Sequence, residues 1–222
     1  MCGRFTEMLP WPELIRLYRL TDPWLGRNTP PRYNIAPTQI VPFIHHDDLG
    51  MQVLREGRWW LVPHWAKELP KAAMFNARIE TVDTTAGFRD AWKTRRCLIP
   101  ADGYYEWTLN AEDGKKDPWF IHLAGPSPFS FAGLWAHNAK LDIYSCTIVT
   151  APSIWPTSQL HDRMPVILDP EYYDAWLSAR TPLADLKPML LDHNLNGRLQ
   201  FHQVSRDVNS SRFDGDPGIN PL

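Results

Sequence analysis

The chain has 222 residues, 44% hydrophobic and 22% charged, which fits one domain with a well-buried core and argues against disorder. Its formal net charge of −2 excludes the global basic field that marks many nucleic-acid binders, so a nucleic acid would be held by a few local arginines and by stacking. No basic segment precedes an apolar one and no apolar run is as long as a membrane span, so the expectation is a cytoplasmic protein.

Eleven Trp, 21 Pro and 12 Gly point to many turns and short elements. Taken in order, residues 9–19 read as a short amphipathic helix with Pro in its first turn. Residues 21–31 read as a polar loop, and 32–37 as an extended segment ending at Pro37. Residues 40–45 and 51–55 flank Asp47-Asp48-Leu49-Gly50 as a hairpin, and 59–62 form a further strand stopped by Pro63. Residues 75–81 lead into a helix over 87–93. An apolar run at 96–100 is followed by strands at 103–108, 119–123, 129–135, 143–150 and 165–168. Helices follow at 170–179 and 183–191, the second interrupted by Pro188, then a strand at 201–204 and a loop-like tail. There is no internal repeat and no linker. The fold class is therefore α+β: a β-rich single domain over 1–222 with a strongly bent antiparallel or mixed sheet approaching a barrel, flanked by a few short helices.

Four clusters carry chemically capable side chains. The first is Cys2-Gly3-Arg4. Removal of Met1 leaves Cys2 with an α-amine beside its thiol, with pKa values of about 7.7–8.0 and about 8.5. Both are then partly nucleophilic near neutrality, and the pair can condense with an aldehyde through nitrogen and close a ring through sulfur. A small buried Cys in a tucked-in terminus is the plain alternative. The second is Asn76-Ala77-Arg78-Ile79-Glu80, whose alternation places Asn76, Arg78 and Glu80 on one face, where an Arg78–Glu80 pair is the plain expectation. In the third, 102–107, Tyr104 and Glu106 share a face opposite Tyr105 and Trp107. A carboxylate among aromatics is desolvated, which raises its pKa toward neutrality. The fourth, His161-Asp162-Arg163-Met164-Pro165, offers a proton-transfer His and an Arg suited to phosphate. Cys2, Cys97 and Cys146 form neither a zinc pattern nor a disulfide framework, and the eight His include no HExxH arrangement, so no metal or cofactor is expected.

Together, Met1-Cys2-Gly3-Arg4-Phe5, the run 32–38, Pro63-His64-Trp65, the run 76–81, the run 96–100, the run 103–107 and His161–Pro165 resemble, in order, the SOS-response-associated peptidase (SRAP) family of abasic-site processing proteins. The resemblance implies attack of the Cys2 amine on the aldehyde of a ring-opened abasic site in single-stranded DNA, then thiol closure to a stable thiazolidine. It assigns sugar-ring opening to His161, the protons of imine formation, ring closure and reversal to Glu106, and orientation of the terminus or sugar to Asn76. It further implies strand cleavage by β-elimination from the imine and self-removal of Met1. Arg78 and Arg163 match phosphate contacts, with Arg4 helping beside the nucleophile. Trp65 and Trp107 match positions facing bases, and Asn34, Pro37 and Thr150 lie in groove-lining segments. Three neutralised phosphates imply a log–log salt slope of roughly −2. Two departures stand out: Trp60 occupies a position where the family commonly has Gly, and Arg89 is the nearest cation where some members carry an Arg after the second cluster. A Cys2-dependent peptidase and a non-catalytic single-stranded DNA reader are the competing functions, and a monomer suffices for all three.

Overall fold

The hairpin at Asp47–Gly50 starts the larger of two sheets. Asp47 accepts N–H bonds from Leu49 (2.9 Å) and Met51 (2.8 Å), and Gly50 takes φ +78°, a value that favours glycine. It joins β3 (Ile40–His46) to β4 (Gln52–Trp59) in antiparallel register from Ile40↔Arg58 to His46↔Gln52. The computed structural model describes residues 2–20, 30–125 and 127–222. Most of the expected loop at 21–31, and Met1 with its removal, lie outside the described residues.

The other strands are β1 (Phe5–Glu7), β2 (Arg32–Ile35), β5 (Asn76–Arg78), β6 (Arg96–Ala101), β7 (Gly103–Leu109), β8 (Lys116–Leu123), β9 (Phe129–Asn138), β10 (Ile143–Pro152), β11 (Arg163–Pro165) and β12 (Leu199–Gln203). One sheet runs β12-β8-β7-β1-β2. In the other, β10 pairs with β4, β4 with β3, β3 with β6, β6 with β9, and β9 again with β10. That circuit closes, so the expected near-barrel is a barrel. The pairings of β10 with β4 and β5 are parallel and all others antiparallel, a mixed sheet as expected. Closure leaves no free edge along this circuit. Past Ile148, β10 leaves β9, and its last residues pair with β5 (Thr150↔Arg78) and β11 (Thr150↔Pro165).

Alternation along the barrel strands explains why β6 is buried at every position. Cys97 and Ile99 point into a cluster with Phe43, Trp59, Cys146 and Ile148, which also takes Cys2, Phe5, Ile35, Tyr104 and Ile121 from the first sheet. Leu98, with Leu134 and Val149, faces outward beneath α1 (Trp11–Leu17), α2 (Arg89–Thr94), α3 (Tyr173–Leu177) and α4 (Leu183–Asp192), which bury Leu14, Trp92, Trp176, Leu186 and Leu190. Gly133 is required where β9 lines the barrel interior: a Cβ there would sit 2.9 Å from Ile99 Cδ1 and 3.0 Å from Cys97 Sγ.

Several boundaries differ from the sequence expectations. The strand at 59–62 ends at Trp59, because the chain peels away to bond Leu61 N–H to Met74 O (3.0 Å), while Trp60 packs on Phe75 at 5.6 Å. The extended segment at 75–81 turns after Arg78, closed by Thr81 N–H on Arg78 O (3.1 Å). Of the expected strand at 165–168 only Pro165 is in a strand, as the last residue of β11, while Ile167 and Leu168 make single bridges. The helix at 170–179 divides into a 3-10 turn, Pro170–Tyr172, and α3. Pro188 does not break α4, which continues to Asp192.

Candidate active site at the N-terminal cysteine

β1 sits between β2 and β7, pairing Phe5 with Tyr104, and this carries the preceding Cys2 into the core. Cys2 is fully buried, its thiol only 3.9 Å from Arg4 O, and Asn76 Nδ2 donates to Cys2 O at 2.7 Å. Burial, reinforced by the charge of Glu106, pushes the Cys2 thiol well above its ordinary range. The thiol is therefore held protonated in this environment. Asn76 Oδ1 is buried with no hydrogen-bond partner among the described residues. An unused buried acceptor beside a nucleophile is costly unless a ligand completes it.

Glu106 comes from β7, 4% exposed, as the alternation requires. Burial raises its pKa, and the neighbouring His161 works in the opposite direction. A carboxyl whose pKa burial raises is better suited to give and take a proton than an exposed one. His161 stands on the segment leading into β11. Its Nδ1 accepts the Arg163 N–H at 2.9 Å and lies 2.7 Å from Asp162 Oδ1. One ring nitrogen cannot accept from the first and donate to the second at once. The bond from the Arg163 N–H requires Nδ1 to carry no hydrogen.

Tyr104 belongs to the same cluster and was not singled out as a functional residue. It is fully buried, two residues before Glu106 on the same strand face. Burial first, then Cys2 and Glu106, push its hydroxyl well above the ordinary range, partly offset by the Thr157 hydroxyl. The alternation of residues 103–107 was the signal that places it there.

The expected DNA contacts divide. Arg78 is exposed at the end of β5. Arg163 is not open: its Nη1 donates to Glu80 Oε1 (2.5 Å), and its Nη2 to Glu80 Oε2 (3.1 Å) and Thr150 O (2.9 Å). The expected Arg78–Glu80 pair is thus replaced by Arg163–Glu80, and the Arg163 hydrogen bond holds the Glu80 carboxyl below the usual range. Thr150 is fully buried, and its hydroxyl takes a longer contact from Arg163 at 3.3 Å.

Arg4, Asn34 and Trp107 gather around the C-terminal tail. Arg4 Nη1 donates to Asn34 Oδ1 and to Val208 O, each at 2.8 Å, and its guanidinium lies 5.9 Å from the Trp107 ring. Asn34, 2% exposed, donates through Nδ2 to Ser210 O (2.9 Å) and Phe213 O (2.7 Å). The Asn34 amide is thus engaged by the tail. Trp107 Nε1 donates to Asn209 Oδ1 at 2.6 Å. Pro37 lies half-buried in the turn before β3, beside Thr38, whose φ of +81° is strained for a β-branched residue. Trp65 is 55% exposed on a loop pinned by Asn138 Nδ2 to Pro63 O (2.8 Å) and Ala66 O (3.0 Å), against a hollow of about 200 Å³ shared with His64 and Arg95. Arg89 lies 3.8 Å from Asp90. Among the described residues, no three His, Cys, Asp or Glu side chains gather as metal ligands, and no helix is long and apolar enough to cross a membrane.

Residues 1–211 match the family model described as SOS response associated peptidase (SRAP). The abasic site processing protein YoaM of Bacillus subtilis is 35% identical over 217 residues, 96% of this chain and 94% of that protein. The abasic site processing protein YedK of Escherichia coli is 28% identical over the whole of both chains. Among solved structures, a protein from Bacteroides thetaiotaomicron superposes with a TM-score of 0.84 over all of both chains at 19% identity, and thus speaks for the fold alone. A Bordetella bronchiseptica protein gives 0.76 at 28% identity, covering 92% of this chain and all of that one.

Proposed function

Because the chain belongs to the SOS response associated peptidase (SRAP) family, we propose that it processes abasic sites in single-stranded DNA through a covalent bond to Cys2. The observation that carries this reading is the convergence on Cys2 of the Asn76 amide at 2.7 Å and the raised Glu106 carboxyl, itself influenced by His161. Relatives of similar length named as abasic site processing proteins support the substrate.

In this mechanism, loss of Met1 frees the Cys2 α-amine. His161 moves the proton that opens the sugar ring and exposes the aldehyde. The amine attacks the aldehyde carbon, and Glu106 shuttles the protons as water leaves and the imine forms. The Cys2 S–H then adds across the C=N bond: sulfur bonds to carbon, the proton goes to nitrogen, and a thiazolidine results. β-Elimination from the imine is the competing exit and cleaves the strand on its 3′ side. A thiol held protonated by burial suits this late addition better than thiolate attack on a peptide in trans. Arg78 holds a phosphate, Arg163 does so when Glu80 yields it, and Trp65 faces a base. The working state is a monomer in the cytoplasm, at the nucleoid when bound to DNA.

The test is a denaturing gel of Met1-free protein mixed with a single strand carrying one abasic site. A heat-stable adduct is expected from wild type and none from Cys2→Ala, whereas Cys2→Ser leaves only an imine that borohydride must trap. No adduct from wild type refutes the reading. Equal heat stability from Cys2→Ser refutes the thiazolidine. Cleavage of peptides in trans by the purified protein supports a peptidase instead.

A further inference from the structure

Ile154 and Trp155 stand exposed, at 44% and 71%, on the loop between β10 and β11, and neither has a part in the mechanism above. Trp155 is more open than Trp65, and among the described residues its indole N–H meets no acceptor and its ring no other ring. One exposed indole is ordinary by itself. This one is singled out by how it is held and where. Pro152 is paired with Arg163, Ser153 N–H donates to Asp162 O at 2.9 Å, and Ser158 N–H closes over Trp155 onto Ile154 O at 2.9 Å. Thr157, 3% exposed, donates its hydroxyl to Ile154 O at 3.2 Å and meets Ser153 Oγ at 3.0 Å. The Thr157 carbonyl accepts the His161 N–H at 3.2 Å, so the turn that presents Trp155 is the turn that carries His161. Trp155 is two residues from Thr157, at most about 7 Å of chain. Leu160 seats the loop on the cluster that holds Cys2.

We propose that Trp155 stacks on the base next to the abasic nucleotide, and so favours strands in which that neighbour is a purine. The inference rests on the substrate proposed above and says what the loop reads beside it. A strand that brings an abasic nucleotide to Cys2 brings its neighbours too, and each neighbouring base has lost its stacking partner on the side of the gap. An aromatic face on a loop already braced by hydrogen bonds restores that stack with little freedom left to lose. A purine offers the larger face, and preference among bases at such a platform follows stacking strength.

The probe is a labelled single strand carrying one tetrahydrofuran in place of the abasic sugar. It keeps the gap and has no aldehyde, so binding is read apart from the reaction. Adenine, thymine or a second tetrahydrofuran is placed beside it, on each side in turn, and affinity is read by fluorescence anisotropy. On one side, wild type is expected to bind the adenine strand roughly 10-fold more tightly than the two-gap strand, with thymine between, the size of one base stacked on one ring. Trp155→Ala should lose roughly 10-fold on the adenine strand and little on the two-gap strand, so that the neighbour no longer matters. Trp155→Phe should keep part of the preference. Leu49→Ala, which removes an apolar side chain 87% exposed in the β3–β4 turn, should keep all of it. A wild type indifferent to the neighbour on both sides overturns the proposal. So does a Trp155→Ala protein that keeps the preference, or one that loses affinity equally for all three strands. If Trp155→Ala does not fold, Trp155→Phe decides by the same comparison. Failure of wild type to crosslink a true abasic strand refutes the proposed reaction, and it is read on a different strand from the stack.

Discussion

The Arg163–Glu80 pair makes a direct prediction about nucleic-acid affinity. A strand phosphate that uses Arg163 must first take the place of the Glu80 carboxylate, whose two oxygens lie 2.5 and 3.1 Å from the guanidinium nitrogens. Glu80 is 44% exposed, so solvent screens the pair and its net worth is about 1 kcal/mol, the upper end for a well-aligned surface pair. Glu80→Gln keeps the shape and removes the competing charge. Affinity for an unmodified single strand is expected to rise about 5-fold, the equivalent of that 1 kcal/mol. The salt slope should steepen by about 0.7, because the wild-type exchange swaps one anion for another and the variant binds an additional phosphate outright. The assay is fluorescence anisotropy of a labelled oligonucleotide from low to moderate salt. Weaker binding with an unchanged slope refutes the competition and makes Glu80 a brace that aims Arg163.

Three further outcomes follow from buried groups. Burial raises the Glu7 carboxyl from 4.5 to about 7, with Arg32, 3.9 Å away, opposing the rise. The folded state therefore binds the proton more tightly than the unfolded one, so the contribution is favourable below about pH 4.5 and is lost as pH rises to about 7. The full shift corresponds to roughly 3 kcal/mol, and Glu7→Gln should raise the melting temperature at pH 8 by several degrees with little gain at pH 4.5; equal gains at both pH values refute the assignment. Asn76→Ala removes the bond to Cys2 O and should slow adduct formation roughly 10–100-fold with strand binding retained, read by single-turnover gels. Arg96 is 1% exposed and donates to the carbonyls of Trp92 (2.8 Å), Lys93 (2.7 Å) and Trp176 (2.6 Å), with burial pulling its pKa down to about 10. Arg96→Met leaves those carbonyls unpaired and should cost about 3 kcal/mol or more in urea unfolding, while protein that remains folded crosslinks normally.

What could be read from the sequence was what depends on local pattern. Alternation over 103–107 separates Tyr104 and Glu106 from Tyr105 and Trp107, and Tyr104 does enter the cluster that holds Cys2 while Tyr105 and Trp107 join another. The barrel is foreshadowed by the apolar runs at 96–100 and 143–150, because strands buried on both faces lose their alternation. What remained hidden depends on partners far away along the chain. Arg163 meets Glu80 from 83 residues away, and Asn34 meets Phe213 from 179. A motif shows that a cation or amide is present but not which acceptor wins it. The strand end at Trp59 was hidden for a related reason: Leu61 bonds to Met74, a competitor no short window contains.

The clamp on Arg4 has a temporal consequence. Apart from Asn34, its acceptors are the carbonyls of Val208 and Asn209, which leave the ribosome some two hundred residues after Arg4 itself. During synthesis Arg4 can be held by Asn34 and, through its carbonyl, by the Tyr105 N–H (3.0 Å) well before the tail emerges, and the carbonyls of Val208 and Asn209 complete the clamp last. The final tightening of the arm that bears Cys2 thus waits on the end of the chain. A chain ending at Arg206 should fold its barrel yet show a protease-sensitive arm and slow adduct formation; full protection of that arm would show that Asn34 and Tyr105 suffice to hold it.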